Sequence, residues 1–247
     1  MLNPLMRIIV LLPIVFSEHV FADDYYNTAD DLIAHFYQKG GNKDYPWHKK
    51  SNNQDETDVL DYSVCYNKLV SQQPPQYLIV MCPDVSEIAY DNAPLPTDYY
   101  VLAKTAQGFS LLATEQESGG QFQDVITIGQ GKWAIHESMS AMNQGYGQSH
   151  DSLNIVVKDK FIPVVQWTSW MDNTGAIDPD NQDAKNQAES MENNLSVADG
   201  QQNADFYPLV IHSTGFHGSQ KFDKNYTINF SMDAGKYLVP DELNGGY

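Results

Sequence analysis

The chain has 247 residues and a formal net charge of −18, with 14 Lys and Arg residues against 32 Asp and Glu residues. Nucleic acids and phosphorylated ligands are usually held by basic patches and guanidinium groups, and the single arginine, Arg7, lies in the first 22 residues. This charge therefore excludes nucleic acid as an expected partner and favours cationic partners or divalent metals.

The first 22 residues follow the pattern of a secretory signal peptide. One positive charge precedes an apolar run at 8–16, and the small residues Val20 and Ala22 precede the expected cut. The apolar run is shorter than the roughly 20 residues of a transmembrane helix, although an uncleaved anchor or a buried helix is the alternative. We expect a mature chain at 23–247 that is periplasmic or secreted, soluble, and not inserted in a membrane.

Residues 28–39 carry the best helix pattern of the chain. Thr28 and Asp31 have the spacing of a capping box, with Asp in place of the usual Glu. Apolar residues at 32, 33, 36 and 37 share one helical face, and the glycines at 40–41 predict the end of the helix.

The two cysteines, Cys65 and Cys82, are predicted to form a disulfide. An exported protein enters an oxidising compartment in which disulfides persist. Closing the loop of about 16 residues would stabilise the fold by roughly 3 kcal/mol. Two buried thiols are the alternative. Neither cysteine belongs to a CxxC motif, which argues against redox catalysis and against zinc binding by thiolates.

The rest of the chain has the pattern of β-strands. The apolar run at 77–82 is typical of a strand covered on both faces, and 58–70 fits a helix or a strand, of which we favour the strand. Hairpins are predicted at 99–114, 125–137 and 153–167. Pro163 indicates an edge strand or a β-bulge in the third hairpin. Further strands are predicted at 225–232, where apolar and polar residues alternate, and at 236–239.

These elements predict a mainly β fold. We expect an antiparallel sandwich or a strongly bent sheet built of hairpins, with one N-terminal helix packed on it. An α+β fold is the alternative. Helices do not alternate with strands, so a parallel α/β fold is disfavoured. The region 23–247 is interpreted as a single acidic domain.

One segment, 172–205, differs from the rest because it has eight acidic residues, a single lysine and few large apolar side chains. We predict a mobile acidic loop with a short helix around 184–191. Within it, Asp178, Asp180 and Glu189 have the spacing of the first, third and twelfth ligands of a calcium loop. Asp183 replaces the glycine of that loop, so Ca²⁺ is the one cofactor considered and a solvated acidic loop is the alternative.

Two further groups of residues contain the chemical types found in active sites. His212 and His217 flank a predicted turn and would need additional ligands to hold a metal. Ser149, His150 and Asp151 are the residue types of a catalytic triad, but triads are assembled from distant segments, and we interpret these three as a polar turn.

Three functions fit these observations, and no GxSxG, Walker or GxGxxG motif supports an enzyme. The first is a non-enzymatic binding protein, for example an inhibitor or immunity-type protein, for a basic partner. In that function the acidic residues of the loop would steer the partner electrostatically; they are Asp172, Asp178, Asp180 and Asp183.

The second function is a carbohydrate-binding or cell-wall-binding β module. Tyr146 and Trp170 are its candidate sugar platforms, together with Trp167, for which core packing is the simpler explanation. The third function is a cell-wall or glycan hydrolase in which a carboxylate pair acts. The candidates for that pair are Glu115, Glu117 and Glu137.

Overall fold

The computed structural model describes residues 25–50, 60–87, 94–178, 180–198 and 204–246. The predicted signal peptide at 1–22 lies outside the described residues. Antiparallel strands form two seven-stranded sheets and one two-stranded sheet. This arrangement confirms the prediction of an antiparallel β-sandwich with one helix near the N-terminus. No helix in the described ranges is long and apolar enough to cross a membrane.

The first sheet contains seven strands: β1 (Tyr25–Tyr26), β2 (Tyr37–Lys39), β3 (Trp47–Lys49), β4 (Asp61–Gln72), β5 (Pro75–Pro83), β6 (Asp98–Thr105) and β7 (Gly108–Glu115). Their order across the sheet is β1-β7-β6-β5-β4-β3-β2. Helix α1 (Ala29–Phe36) connects β1 to β2 in the chain. Strands β6 and β7 form the hairpin predicted at 99–114.

The second sheet contains β8 (Gln121–Gly129), β9 (Lys132–Asn143), β10 (Tyr146–Val157), β11 (Lys160–Asp172), β12 (Glu189–Val197), β13 (Leu209–His217) and β14 (Gln220–Ile228). These strands are neighbours in sequence order, and the first four form the other two predicted hairpins. The strand predicted at 225–232 is divided between β14 and β15 (Phe230–Ser231). The latter pairs with β16 (Lys236–Tyr237), within the strand predicted at 236–239.

Alternation of side chains on β5 and β6 gives the molecule its layers. One face packs against α1 through Ile79, Met81, Tyr100 and Leu102. The other face packs against the second sheet through Leu78, Val80, Tyr99 and Val101. Burial on both faces confirms the prediction that 77–82 is a strand covered on both of its faces. A third apolar cluster, around Trp167, covers the far face of the second sheet and includes residues of the C-terminal segment.

Helix α1 begins as predicted and ends earlier than predicted. The backbone N–H of Asp31 donates to Oγ1 of Thr28 at 3.1 Å, and that of Thr28 donates to the Asp31 carboxylate at 2.9 Å, so the capping box is confirmed. The helix ends at Phe36 because Tyr37 is extended and buries its ring beside Asp98. The prediction that the helix continues to residue 39 is therefore wrong.

The predicted disulfide is confirmed. Cys65 and Cys82 join the neighbouring strands β4 and β5, with their Cα atoms 5.8 Å apart. Cys65 lies at an irregularity of β4, because the pairing shifts between Val64 and Tyr66. Strand β4 also confirms that residues 61–70 are extended, whereas 58 and 59 lie outside the described residues.

Pro163 lies at a β-bulge of an internal strand. Leu153 is opposite Val165 and Asn154 is opposite Pro163, so Val164 has no partner in the ladder. Strand β11 stands between β10 and β12 in the sheet. The bulge is confirmed and the edge position is wrong. The proline is tolerated because β12 pairs only with the last three residues of β11, at 170–172.

The prediction that 172–205 is one mobile loop is wrong for residues 189–197, which form strand β12. Strand β12 pairs with β13 along its whole length of nine residues. Asn193 is buried, and Leu195 packs against the apolar cluster around Trp167. The connection from β11 contains the short helix α2 (Gln182–Lys185), which replaces the helix predicted at 184–191. Residues 199–203 lie outside the described residues.

Candidate functional site

A polar cleft of about 420 Å³ opens on the second sheet. We call it the Asp151 cleft. Strands β9 to β12 provide its main polar side chains, which are His136, Asp151, Ser169, Glu192 and Asn194. Trp167 and Trp170 provide its aromatic surface. The described residues that line it include no lysine and no arginine.

The carboxylate of Asp151 accepts hydrogen bonds on both oxygens. Nε2 of His136 lies 2.7 Å from one oxygen, and the hydroxyl of Ser169 donates to the other at 2.6 Å. Burial, the largest single influence, raises the pKa of Asp151, but hydrogen bonds from His136, Ser169 and Ser138 together lower it below its ordinary value. The carboxylate is therefore ionised at neutral pH and held in one position.

Strand register explains why these side chains meet. In the β9–β10 hairpin His136 is opposite Leu153, and Ser138 is opposite Asp151. His136 and Asp151 are therefore diagonal neighbours on one face of the sheet. Asp151 is also opposite Trp167 on β11.

Trp167 forms the floor of the cleft and belongs to the core. Its side chain is 2% exposed, and its ring stacks on the imidazole of His136 with the centroids 5.5 Å apart. Its Nε1 donates to the carbonyl of Asn193 at 3.3 Å. The stacking contact holds the imidazole of His136 in place. The burial of Trp167 agrees with core packing as the explanation for this residue.

Trp170 presents a partly buried ring in the same cleft. A Cβ at position 147 would lie 2.4 Å from Cη2 of this ring, so only glycine at that position lets the indole lie against the backbone. Glu192 is opposite Trp170 in the pairing of β11 with β12. Tyr146, the other candidate platform, precedes Gly147 and is 43% exposed, but it is not among the described residues that line the cleft.

Ser149, His150 and Asp151 lie in strand β10 and do not form the predicted turn. The Ser149 hydroxyl is 2.6 Å from that of Ser140, and Nδ1 of His150 is 3.3 Å from the Thr168 hydroxyl. The contacts of Asp151 do not form a triad either, because its carboxylate separates the serine from the histidine. A serine is activated by a histidine that contacts its hydroxyl.

Of the three glutamates considered as candidates for a carboxylate pair, two influence each other electrostatically. Burial raises the pKa of Glu115, and the negative charge of Glu137 raises it further. Glu117 is separate and forms an ion pair with Lys49 at 3.0 Å. Glu137 lines a second cleft of about 290 Å³, whereas Glu115 is not among the described residues that line it.

The two histidines considered for metal binding are not joined by a turn. Both lie on β13, and each contacts a different carboxylate. Nε2 of His212 is 2.8 Å from Asp223, and Nδ1 of His217 is 3.1 Å from Glu189. The predicted turn between them is wrong because β13 continues through it.

The residues predicted to bind calcium contact different partners. Asp178 accepts the backbone N–H of Asp180 at 2.9 Å, whereas Glu189 opens β12 and contacts His217. In the described part of the chain no three acidic, histidine or cysteine side chains form a group that could hold a metal. Asp183 lies in α2 and Asp172 accepts from Thr174 at the end of β11, so these acidic residues participate in local turns.

Sequence reasoning did not find several residues of the Asp151 cleft. His136, Ser169, Glu192 and Asn194 are all polar residues within strands. The first three belong to no motif, and Asn194 belongs only to the N-glycosylation acceptor sequence Asn194-Leu195-Ser196. The turn at 144–145 was the available signal, since it sets the register that places His136 diagonal to Asp151.

No protein-family model, no curated protein and no solved structure matches this chain.

Proposed function

We propose that this chain is an exported, non-enzymatic protein that binds a neutral or amino-containing glycan in the Asp151 cleft. One observation carries the proposal: an ionised, immobilised carboxylate and a partly buried indole ring line the same open cleft. Sugar rings combine an apolar face, which packs on aromatic rings, with hydroxyl groups that donate to carboxylates. The cleft offers both kinds of partner.

The charges of the cleft favour one class of glycan. Asp151 and Glu192 are acidic, and no lysine or arginine lines the cleft in the described ranges. A sulfated, phosphorylated or uronic-acid ligand would meet negative charge with no lysine or arginine to offset it. Neutral sugars, and amino sugars with a free ammonium group, would be accepted.

A rigid scaffold supports binding without catalysis. Each oxygen of Asp151 already accepts one hydrogen bond, from His136 or from Ser169, and keeps a second lone pair that can accept a sugar hydroxyl. The ionised, hydrogen-bonded group is neither a proton donor nor an unhindered nucleophile. The site is built on strands, which hold side chains more precisely than loops do. Export agrees with the Cys65–Cys82 disulfide, since such bridges persist in oxidising compartments.

The test is retention on insoluble glycans at high salt. Purified mature protein is incubated with chitin, cellulose and peptidoglycan in 0.5 M NaCl, where the Debye length of roughly 4 Å screens non-specific attraction. We expect retention on at least one glycan and about tenfold weaker binding by Trp170→Ala. Trp47→Ala is the matched control, since Trp47 is also partly buried but lies on the first sheet.

The result also separates the proposal from the two other functions. Loss of all retention at high salt, together with binding of a basic protein that Trp170→Ala leaves unchanged, would favour capture of a cationic partner. Release of reducing sugar by the wild type that Glu137→Gln abolishes would favour a hydrolase. Equal retention of the wild type and Trp170→Ala would show that the cleft is not the glycan site.

A further inference from the structure

The side-chain amide of Asn193 is an incompletely partnered polar group in the Asp151 cleft. Asn193 is 3% exposed and lines the cleft. Its Nδ2 donates to the backbone carbonyl of Thr168 at 2.6 Å, but its Oδ1 is buried and accepts no hydrogen bond from the described residues. A buried acceptor without a donor costs free energy, so we expect a bound ligand to supply the donor.

The orientation of this amide is fixed by its surroundings. If the amide turned over, Oδ1 would face the carbonyl oxygen of Thr168, and two acceptors would meet. The backbone of Asn193 is held as well, because its carbonyl accepts from Nε1 of Trp167 at 3.3 Å. The pairing of β11 with β12 ends at Trp170 and Glu192. Asn193 therefore lies just beyond the last paired residues of two strands that both line the cleft.

Several donors that line the cleft are already bound to acceptors of the protein. The hydroxyl of Ser169 donates to the carboxylate of Asp151 at 2.6 Å. Nδ2 of Asn194 donates to the carboxylate of Glu192 at 3.1 Å. Acceptors therefore dominate what the cleft offers to a ligand, namely the two carboxylates and Oδ1 of Asn193.

Glu192 adds a negative charge that the protein itself does not offset. In the part of the chain that the structure describes, it forms no ion pair with a lysine or a histidine. Asp151, in contrast, lies 2.7 Å from Nε2 of His136. Glu192 is opposite Trp170, and an indole ring attracts a cation placed over its face. This end of the cleft therefore favours a positively charged group.

A primary ammonium group matches these features better than the other groups that sugars carry in its place. An ammonium has a positive charge and three N–H donors, and it has no acceptor. A hydroxyl has one donor and two acceptor lone pairs, and an acetamido group has one N–H and a carbonyl oxygen. The acceptors of these two groups would meet the acceptors of the cleft, which leaves polar atoms unpaired.

We propose that the Asp151 cleft selects glycans whose sugars carry a free primary ammonium group. Glu192 is the counter-ion of the ammonium, and Oδ1 of Asn193 accepts one of its hydrogen bonds. This inference rests on the proposed function and narrows the ligand from neutral and amino-containing glycans to amino-sugar polymers without acetyl groups. Glu192 and Asn193 determine this specificity, whereas Trp170 packs on any glycan that binds.

The experiment compares three β-1,4-linked hexasaccharides that differ only at C2 of each sugar. Glucosamine has an ammonium there, N-acetylglucosamine an acetamido group and glucose a hydroxyl. Each hexamer is titrated into the mature chain by calorimetry at pH 6, where the amines of the glucosamine hexamer are largely protonated. The buffer contains 0.5 M NaCl, so that a Debye length of roughly 4 Å screens general attraction to the acidic protein. We expect the glucosamine hexamer to bind about tenfold more tightly than the other two.

Three variants assign the preference to named residues. Glu192→Gln keeps the size of the side chain and removes its charge, so it should bind the glucosamine hexamer about tenfold more weakly and the other hexamers unchanged. Asp233→Asn is the matched control and should bind like the wild type, since it removes one charge from an exposed residue outside the cleft. Asn193→Ala should also weaken binding of the glucosamine hexamer selectively. If this variant fails to fold, the comparison of Glu192→Gln with Asp233→Asn decides.

Equal affinities for the three hexamers would overturn ammonium selection and leave the proposed glycan binding intact. Tighter binding of the N-acetylglucosamine hexamer would have the same meaning. A preference that Asp233→Asn lowers as much as Glu192→Gln would show that net charge, and not the cleft, attracts the amine. Binding of none of the hexamers, together with no retention of the protein on insoluble glycans, would contradict the proposed function itself.

Discussion

The ammonium group of Lys49 lies 3.0 Å from the carboxylate of Asp98, a residue with no exposed surface. The carboxylate also accepts from the hydroxyl of Tyr37 and from the backbone N–H of Glu117, the latter at 2.7 Å. A buried charge needs such partners, because an unpaired one costs several kcal/mol. This network ties the start of β6 to β2 and β3, on the side of the first sheet that α1 covers.

Removing the cation of this network, Lys49, should lower the free energy of unfolding strongly. Removing its exposed partner, Glu117, should lower it little. Lys49→Met leaves the charge of Asp98 buried without its ion pair, so we expect a loss of about 3–5 kcal/mol in the free energy of unfolding. Lys49 also contacts Glu117 at 3.0 Å, but that carboxylate is 66% exposed, and Glu117→Gln should cost less than about 1 kcal/mol. Urea denaturation of both variants measures the difference. Equal losses would contradict the assigned roles.

The hydrogen bonds of Asp151 should appear in the pH dependence of stability. A lowered pKa in the folded state means that the stabilisation is present above the ordinary value of 3.8 and is lost as pH falls through the lower folded value. We expect Asp151→Asn to cost about 2 kcal/mol at pH 7 and clearly less near pH 3.5. Urea midpoints at both pH values measure this, with the surface variant Asp233→Asn as control. A pH-independent difference would contradict it.

Much of the fold could be predicted because local patterns and burial agree. The capping box of Thr28, the hairpin turns and the apolar run in β5 each determine their element through short-range physics. Strand β12 could not be predicted, because its apolar residues are few and its stability comes from pairing with β13 and from the packing of Leu195. Strand propensity depends strongly on such context.

The candidate site could be predicted less well than the fold. Trp170 was identified as a candidate platform, but His136 and Ser169 contact Asp151 only through strand register and a bulge between β10 and β11. A bulge moves one side chain relative to its neighbours, and one sequence does not contain its position. The same reason explains why Glu115 and Glu137 could be considered only as candidates.

The disulfide between β4 and β5 should stabilise the folded chain measurably. Cys65 and Cys82 are 17 residues apart, and the chain-entropy estimate for such a loop is about 3 kcal/mol. We expect the double variant Cys65→Ser, Cys82→Ser to have a free energy of unfolding lower by that amount in urea denaturation. Adding reductant should not change the stability of this variant. Wild-type protein alkylated without reductant should incorporate no label at either cysteine, and labelling of both in the folded protein would contradict the bridge.

The acidic segment between β11 and β13 should divide into a part that is dispensable for folding and a part that is not. Residues 178–186 include α2, and the side chains that the structure describes there are mostly exposed, so we expect a Gly-Ser linker of equal length to leave the melting temperature within a few degrees. Leu195→Ala, in β12, removes a partly buried side chain from the cluster around Trp167 and should lower the free energy of unfolding by about 2 kcal/mol.

The Gly-Ser linker also removes three carboxylates and one lysine from the acidic segment. If the segment steers a basic partner, the association rate should fall at low salt and converge with that of the wild type at high salt. Unfolding of the linker variant would show that the connection is structural, and a stable Leu195→Ala would show that β12 is not part of the core.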